Sequence, residues 1–140
     1  MFYCELLSGI WIGDTDILVN DRFIKDNNID IILNCTQMFN FPELDLYKKV
    51  RLPFSPVRES DSDIYLIREN YKKIVTFLTE NIDVHNILIC CYDGKSISPF
   101  IVALYIAEYS NVDKKSIYNI LLTKDSNLSL WYDLSLFYNT

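Results

Sequence analysis

Cysteine is the residue type in this chain best suited to covalent chemistry, and Cys91 has the most informative surroundings. It ends an apolar run that begins at Asn86, and the short segment after it has Gly94 near its centre, followed by Ser98 and Pro99, which suit an N-cap and a first helical position. A strand, a tight loop and a helix N-terminus form an anion cradle, because loop N–H groups and the helix dipole converge on one point. The same groups stabilise a thiolate, so the pattern predicts a nucleophilic Cys91 with a somewhat lowered pKa.

The simpler alternative for Cys91 is a buried, inert structural thiol, which is the usual state of a free cysteine. For Cys90 a core thiol is the favoured interpretation, and a redox couple with a neighbouring thiol is the alternative. Cys4 and Cys35 are expected in the core. The chain has no C-x-x-C pair and a single histidine, so no disulfide framework, metal or cofactor is predicted.

Apolar runs and helical patterns alternate along the chain, and these elements must position Cys91. Strands are predicted over residues 9–13, 29–34, 49–54 and 86–91. Helices are predicted over about 14–26, along an apolar face from Ile67 to Leu78, from Pro99 to about Tyr109, from Asp113 onward, and from about Asn127 through Phe137. No repeat or linker interrupts this order, which predicts one α/β (α+β) domain over residues 1–140.

Composition limits the classes of function. Half of the 140 residues are apolar, which predicts a packed core and excludes a disordered chain. The net charge is −6 with no cluster of Lys and Arg, so binding to nucleic acid or to an anionic membrane is not expected. The start lacks a basic signal segment and the longest apolar run, 100–107, is too short to span a bilayer, so a soluble, cytoplasmic protein is expected. The 18 Ile and 12 Asn against 2 Ala are typical of A/T-rich coding sequence, as in some viral genomes.

The segment Cys91-Tyr-Asp-Gly94-Lys-Ser-Ile97-Ser98-Pro99 resembles the signature H-C-x-x-G-x-x-R-S of the dual-specificity phosphatases, a family of cysteine-dependent phosphatases. Most of the chain shares the resemblance. Residues 8–13 resemble the family's opening strand, 29–36 its second strand with an N-x-T ending, 71–78 the helix before the signature, and 101–108 the helix after it. The resemblance implies the family's fold, a central mixed sheet of about four or five strands flanked by helices. It also implies a nucleophile at Cys91 and a phosphate-binding loop made of Tyr92, Asp93, Gly94, Lys95, Ser96, Ile97 and Ser98.

Two departures from the signature decide the predicted function. Ile97 stands where the family has its phosphate-binding arginine, and Cys90 stands where the signature has histidine. The planar fork of the arginine binds two phosphoryl oxygens and neutralises charge during transfer, which an alkyl side chain cannot do. Loss of such a group costs a factor of about 10²–10³ in rate. Neither Lys95 nor a distant Arg58 or Arg68 is expected to substitute.

The family's general acid, an aspartate on a loop before the helix, has no single match in this chain. Counting back from Tyr71 selects Asp61, whereas counting forward from Pro53 finds no acid at the usual interval. Glu59, Asp61 and Asp63 are all candidates, and Asp61 is preferred. The alternative is that this acidic stretch is a solvated helix start, with Asp63 as the N-cap.

Several other side chains receive structural interpretations. Tyr92 and Asp93 are expected to point away from a bound anion. His85 is out of register with the signature histidine and is expected to be a solvated surface residue. Phe39 and Phe41 are expected to pack within their loop and not to form a binding site.

These observations favour a pseudophosphatase, a phosphatase-fold protein that binds a protein or phosphoprotein partner and has little or no enzyme activity. The alternative is a weak phosphatase for phosphotyrosine, phosphoserine, phosphothreonine or an RNA 5′-phosphate, with Cys91 as nucleophile and Asp61 as acid and then base. The net negative charge disfavours the RNA version. A third alternative is an interaction or homodimerisation module that no longer binds phosphate, which Ile97 would cause if its side chain filled the cradle.

Overall fold

A five-stranded sheet lies at the centre of the structure, a computed structural model that describes residues 1–58 and 60–138. The strands are β1 (Tyr3–Leu7), β2 (Ile10–Gly13), β3 (Ile29–Asn34), β4 (Lys48–Arg51) and β5 (Asn86–Cys90). Their order across the sheet is β1-β2-β5-β3-β4. The β1–β2 pair is antiparallel and the other pairs are parallel, so the sheet is mixed, as predicted.

Four α-helices accompany the sheet: α1 (Asp21–Asp26), α2 (Asp61–Asn81), α3 (Ile97–Tyr109) and α4 (Lys114–Lys124). Two short 3-10 turns, Thr15–Val19 and Leu134–Leu136, complete the described elements. This arrangement confirms the predicted α+β class. None of the described helices combines the length and the apolar character that crossing a bilayer requires.

Strand β5 is buried on both faces, which explains its continuous apolar sequence. Ile87, Ile89 and Cys91 belong to the main hydrophobic cluster, together with α2, α3 and α4. Leu88 and Cys90 belong to a smaller cluster on the opposite face, together with α1. Because successive side chains of a strand alternate between faces, the adjacent thiols of Cys90 and Cys91 lie on opposite sides of the sheet.

The single helix predicted over residues 14–26 is wrong. The chain instead forms the 3-10 turn at Thr15–Val19 and then α1. Asn20 separates them because its Oδ1 accepts a hydrogen bond from the N–H of Phe23 at 3.0 Å and thereby caps the second helix.

The terminal helix predicted from about Asn127 is also wrong, since the described chain there is irregular up to the 3-10 turn at Leu134–Leu136. Two of its backbone donors bond instead to the signature loop, residues 91–96 between β5 and α3. Ser129 N donates to Lys95 O at 2.9 Å, and Trp131 N donates to Ser96 O at 3.2 Å. These N–H groups are therefore not available for a helix.

Two strand predictions differ in detail. The sequence pattern does not predict β1, which pairs with β2 at the edge of the sheet. Strand β4 occupies Lys48–Arg51 and does not extend to residue 54. Pro53 lies just beyond it and has no N–H to donate to a neighbouring strand.

Candidate functional site

The loop from Cys91 to Ser96 connects β5 to α3 and is held against the end of β2. Cys91 N donates to Gly13 O at 3.1 Å. Gly94 has a φ of +74°, and a Cβ placed on it would lie 2.6 Å from the carbonyl carbon of Gly13. Both the backbone conformation and the close approach therefore require glycine at this position.

Helix α3 begins at Ile97 with Ser96 as its N-cap, so the predicted start at Pro99 is late by two residues. Pro99 fits within the first turn, where its missing N–H leaves no helical hydrogen bond unmade. The N–H of Ser98 donates to Cys91 Sγ at 3.4 Å. The N-terminus of α3 therefore faces the sulfur atom.

The thiol of Cys91 is fully buried, and this burial raises its pKa. The N–H of Ser98, the nearby Ser98 hydroxyl and the backbone of Ser96 act in the opposite direction, while the negative charge of Asp93 adds to the increase. The Ser98 hydroxyl is buried and forms no hydrogen bond of good geometry with any described residue. The predicted lowering of the Cys91 pKa is wrong, because desolvation outweighs the donors of the loop.

Asp93 folds back across the loop, so the expectation that its side chain points away is wrong. Its Oδ1 accepts hydrogen bonds from Lys95 N at 2.9 Å and from Ser96 Oγ at 3.1 Å, and it lies 3.8 Å from Cys91 Sγ. A carboxylate therefore occupies donors of the loop. Aspartate commonly accepts a hydrogen bond from the N–H two residues later, in an Asx turn. This tendency is the sequence signal that could have predicted the contact between Asp93 and Lys95 N.

Tyr92 is directed toward two neighbouring loops. Its hydroxyl donates to Phe54 O at 2.6 Å and accepts from Gln37 N at 3.2 Å. Burial raises the pKa of this hydroxyl, so it stays protonated and can keep donating to Phe54 O. Tyr92 thus ties the signature loop to the segments that follow β3 and β4.

The loop after β3 packs on itself and on the signature loop. Arg51 donates to Thr36 O at 2.9 Å and to Phe39 O at 2.7 Å, and its guanidinium lies 5.1 Å from the ring centre of Phe41. The ring of Phe39 meets Tyr92 edge-on, with 6.2 Å between centroids. Phe39 and Phe41 therefore both take part in loop packing, although Phe39 remains 47% exposed.

Ile97 is only 1% exposed and belongs to the main hydrophobic cluster. The ammonium of Lys95 lies 5.0 Å from the ring centre of Phe2. The Arg58 guanidinium lies 5.0 Å from the ring centre of Trp131, whose backbone N–H donates to Ser96 O, and Arg68 is exposed on α2. The charged ends of Lys95 and Arg58 thus both lie against aromatic rings.

The candidate acids have different surroundings. Asp61 is the exposed first residue of α2, and among the described residues it makes no hydrogen bond or ion pair. Asp63 is 1% exposed and accepts hydrogen bonds from the N–H and hydroxyl of Ser55, at 2.8 and 2.7 Å. Ser60 is the N-cap of α2, so the N-cap role predicted for Asp63 is wrong. Glu59 lies outside the described residues.

His85 is not the solvated residue that the sequence suggests. Its side chain is 15% exposed, its Nδ1 lies 2.5 Å from Asp30 Oδ2, and its ring stacks on Tyr47 with 4.0 Å between centroids. The other oxygen of Asp30 accepts from Asn86 N at 3.0 Å, which joins the starts of β3 and β5. His85 therefore lies at the opposite end of β5 from Cys91 and outside the candidate site.

The remaining cysteines are free thiols. Cys35 and Cys90 are fully buried, and burial raises the pKa of each, whereas Cys4 is only partly buried. The Sγ of Cys90 lies 3.3 Å from Asp14 O, on the face of the sheet away from Cys91. Within the described ranges, no three His, Cys, Asp or Glu side chains are grouped as metal ligands would be.

Comparison with known proteins gives matches in structure alone. No protein-family profile and no curated protein sequence matches this chain. Human DUSP28 superposes with a TM-score of 0.77 at 9% sequence identity, over 91% of this chain and 84% of that chain. The human tyrosine phosphatase-like serine/threonine/tyrosine-interacting protein gives 0.76 at 13% identity, over 91% and 87% of the two chains.

A leucine-rich repeat and phosphatase domain containing protein from Entamoeba histolytica gives a TM-score of 0.75 at 18% identity, over 96% of this chain and 89% of that chain. Each of these matches covers at least 91% of this chain. At such low identity they define the fold. The chain therefore has the fold of the dual-specificity phosphatases, as the resemblance in its sequence predicts.

Proposed function

We propose that this protein is a pseudophosphatase, which uses a phosphatase-type loop to bind a protein or phosphoprotein partner and does not hydrolyse phosphate esters. The observation that carries the proposal is Ile97, which is buried in the main hydrophobic cluster at the position of the signature arginine. An alkyl side chain offers neither charge nor hydrogen bonds to phosphoryl oxygens. The charge that builds up during phosphoryl transfer therefore lacks its usual partner.

The state of Cys91 supports the same proposal. Burial raises the pKa of its thiol, so the protonated form dominates at neutral pH. A thiol attacks far more slowly than a thiolate. The carboxylate of Asp93, 3.8 Å from Cys91 Sγ, also opposes the approach of a phosphate dianion.

The net charge and the fold both favour a protein partner. The chain carries a net charge of −6, which disfavours nucleic acid and anionic membranes and leaves proteins as the expected partners. One structural neighbour is named a phosphatase-like interacting protein, so the fold occurs in a protein named for interaction. A second copy of this chain also belongs to the class of protein partners.

A weakly active phosphatase is the second candidate, and one contact favours it. The N–H of Ser98 still donates to Cys91 Sγ at 3.4 Å, which is the geometry that would stabilise a thiolate. In that case the sulfur would attack phosphorus, the alkoxide leaving group would take a proton from Asp61, and water would then cleave the S–P bond. Asp61 is exposed and uncommitted among the described residues, as such a role requires.

Release of inorganic phosphate distinguishes the two candidates. The wild-type chain and the Cys91→Ser variant would be incubated with an aryl phosphate, with phosphotyrosyl and phosphothreonyl peptides, and with 5′-phosphorylated RNA. We expect equal release by both proteins with every substrate. Release by the wild type well above that of Cys91→Ser would overturn the proposal and establish the weak phosphatase.

A further inference from the structure

A cleft near the signature loop is lined by basic and aromatic residues. None of these residues has a role in the phosphatase-type reaction considered above. Its volume is about 510 Å³, and its lining includes Arg58, Lys114, Lys115, Tyr118, Tyr132 and Asp133. A cleft of this size accommodates a few side chains of a bound peptide.

One wall of the cleft is attached to both sides of the candidate site. Ser129, which lines the cleft, donates from its N–H to Lys95 O at 2.9 Å. The hydroxyl of Tyr132 donates to Ser60 O at 3.4 Å, at the N-cap of α2. The segment that lines the cleft is therefore bonded to the signature loop, so a partner bound at the loop would lie close to the cleft.

The charges of the lining are mainly positive, in contrast to the chain as a whole. Three basic side chains and one carboxylate line the cleft, whereas the chain has 13 basic and 19 acidic residues. Lys114 pairs with Asp133 at 3.3 Å, with both side chains partly exposed. Lys115 is exposed and lies near Asp113, whose carboxylate caps α4.

The guanidinium of Arg58 is oriented so that its N–H groups could bind a carboxylate. Its guanidinium stacks on the indole of Trp131, with 5.0 Å from Cζ to the ring centre. A stacked guanidinium uses its face for the aromatic ring, and its N–H groups remain directed outward in its plane. Such a group is well suited to bind a carboxylate in a bidentate manner.

We propose that this cleft docks an acidic peptide segment of the partner protein. Its carboxylates meet Arg58 and Lys115, and its apolar groups pack on Tyr118 and Tyr132. The inference rests on the proposed function, because it specifies the partner that the pseudophosphatase binds. A peptide is favoured over RNA or a membrane because the basic surface is a small cleft on a chain with a net charge of −6.

The test is fluorescence anisotropy with the full chain and a short fluorescein-labelled peptide rich in glutamate. We expect the double variant Arg58→Gln/Lys115→Gln to weaken binding about tenfold. The matched control, Lys72→Gln/Lys73→Gln, removes the same charge from the exposed surface of α2 and should change the Kd less than about twofold. The same peptide with glutamine in place of glutamate should bind far more weakly.

Absence of binding by the wild type, or equal loss in both double variants, overturns the docking proposal. Binding of a uridine-rich RNA or of phosphatidylserine vesicles that is lost in Arg58→Gln/Lys115→Gln, with no peptide binding, also overturns it. Lys115→Gln alone, at an exposed position, repeats the test if the double variant is poorly folded. Peptide binding should persist in Cys91→Ser, so these outcomes are independent of phosphate release, which tests the pseudophosphatase proposal.

Discussion

The carboxylate of Asp93 lies against the thiol of Cys91, with 3.8 Å between Oδ1 and Sγ. The same oxygen accepts hydrogen bonds from Lys95 N and Ser96 Oγ. A loop that gathers donors around an anion thus already contains a carboxylate, whose charge disfavours a second negative group nearby. The loop therefore places a carboxylate beside the thiol of Cys91, and a buried alkyl side chain, Ile97, stands at the position of the signature arginine.

Removing the charge of Asp93 should make Cys91 more reactive. The negative charge of Asp93 raises the pKa of the thiol, so Asp93→Asn should lower that pKa and increase the thiolate fraction at any pH below it. Because Asp93 is exposed, solvent screening limits the expected gain in the alkylation rate at pH 8 to about threefold. Iodoacetamide labelling across pH 7–10, followed by peptide mass spectrometry, measures it.

Asp61→Asn is the matched control for that experiment, since it removes an exposed carboxylate that makes no described contact with the loop. In the wild type, labelling of Cys91 should keep rising above pH 9, because burial raises the pKa of its thiol. A plateau of the labelling rate near neutral pH would show a lowered pKa and would contradict the account.

The close approach of Gly94 to Gly13 should make the loop intolerant of a side chain. Gly94→Ala combines the cost of a positive φ with a Cβ 2.6 Å from a backbone carbon, so we expect a loss of about 2–4 kcal/mol in the free energy of unfolding. Gly9 also has a positive φ, but a Cβ there has no neighbour closer than 3.6 Å. Gly9→Ala should therefore cost about 1–2 kcal/mol. Equal costs in urea unfolding would argue against the close approach.

The two aspartates at the start of α2 should differ in their effect on stability. Asp63→Ala leaves the N–H of Ser55 without its acceptor, removes one of the two acceptors of the Ser55 hydroxyl, and should cost about 2–3 kcal/mol in the free energy of unfolding. Asp61→Ala removes an exposed carboxylate from the first turn and should cost less than about 1 kcal/mol. Urea denaturation measures both. A larger loss of stability in Asp61→Ala than in Asp63→Ala would show that Asp61, and not Asp63, stabilises the fold.

The central strands could be predicted from the sequence because a buried strand has a recognisable run of apolar residues. Ile29–Asn34 forms a strand with the predicted bounds, since a strand covered on both faces has a continuous apolar sequence. The segment after Asn127 has apolar residues at helical spacing and still does not form an α-helix. The N–H groups of Ser129 and Trp131 bond to the signature loop, and such long-range hydrogen bonds cannot be inferred from a local sequence pattern.

The backbone of the candidate site could also be predicted, but its electrostatics could not. The order of strand, glycine loop and helix around Cys91 follows from residue types alone. The pKa of Cys91 depends on complete burial and on the direction of the Asp93 side chain, and both result from packing between distant segments. The position of Arg58 over Trp131 likewise depends on residues far apart in the chain.

We infer that the loop does not hydrolyse phosphate esters because Ile97 stands at the position of the signature arginine. The most direct measurement is the rate of aryl phosphate hydrolysis by wild type, Ile97→Arg and Ile97→Arg/Cys91→Ser, each shown to be folded by its circular dichroism spectrum and thermal unfolding transition. Because the carboxylate of Asp93 would compete with phosphate for the new guanidinium, the same set would also be prepared with Asp93→Asn, which removes that competing charge.

Wild type should hydrolyse the aryl phosphate no faster than its Cys91→Ser variant. A restored guanidinium should then raise the rate at least about tenfold, a gain that disappears when Cys91 is replaced. A wild-type rate well above that of Cys91→Ser and unchanged by Ile97→Arg would contradict the claim, because it would show that the loop works without the arginine.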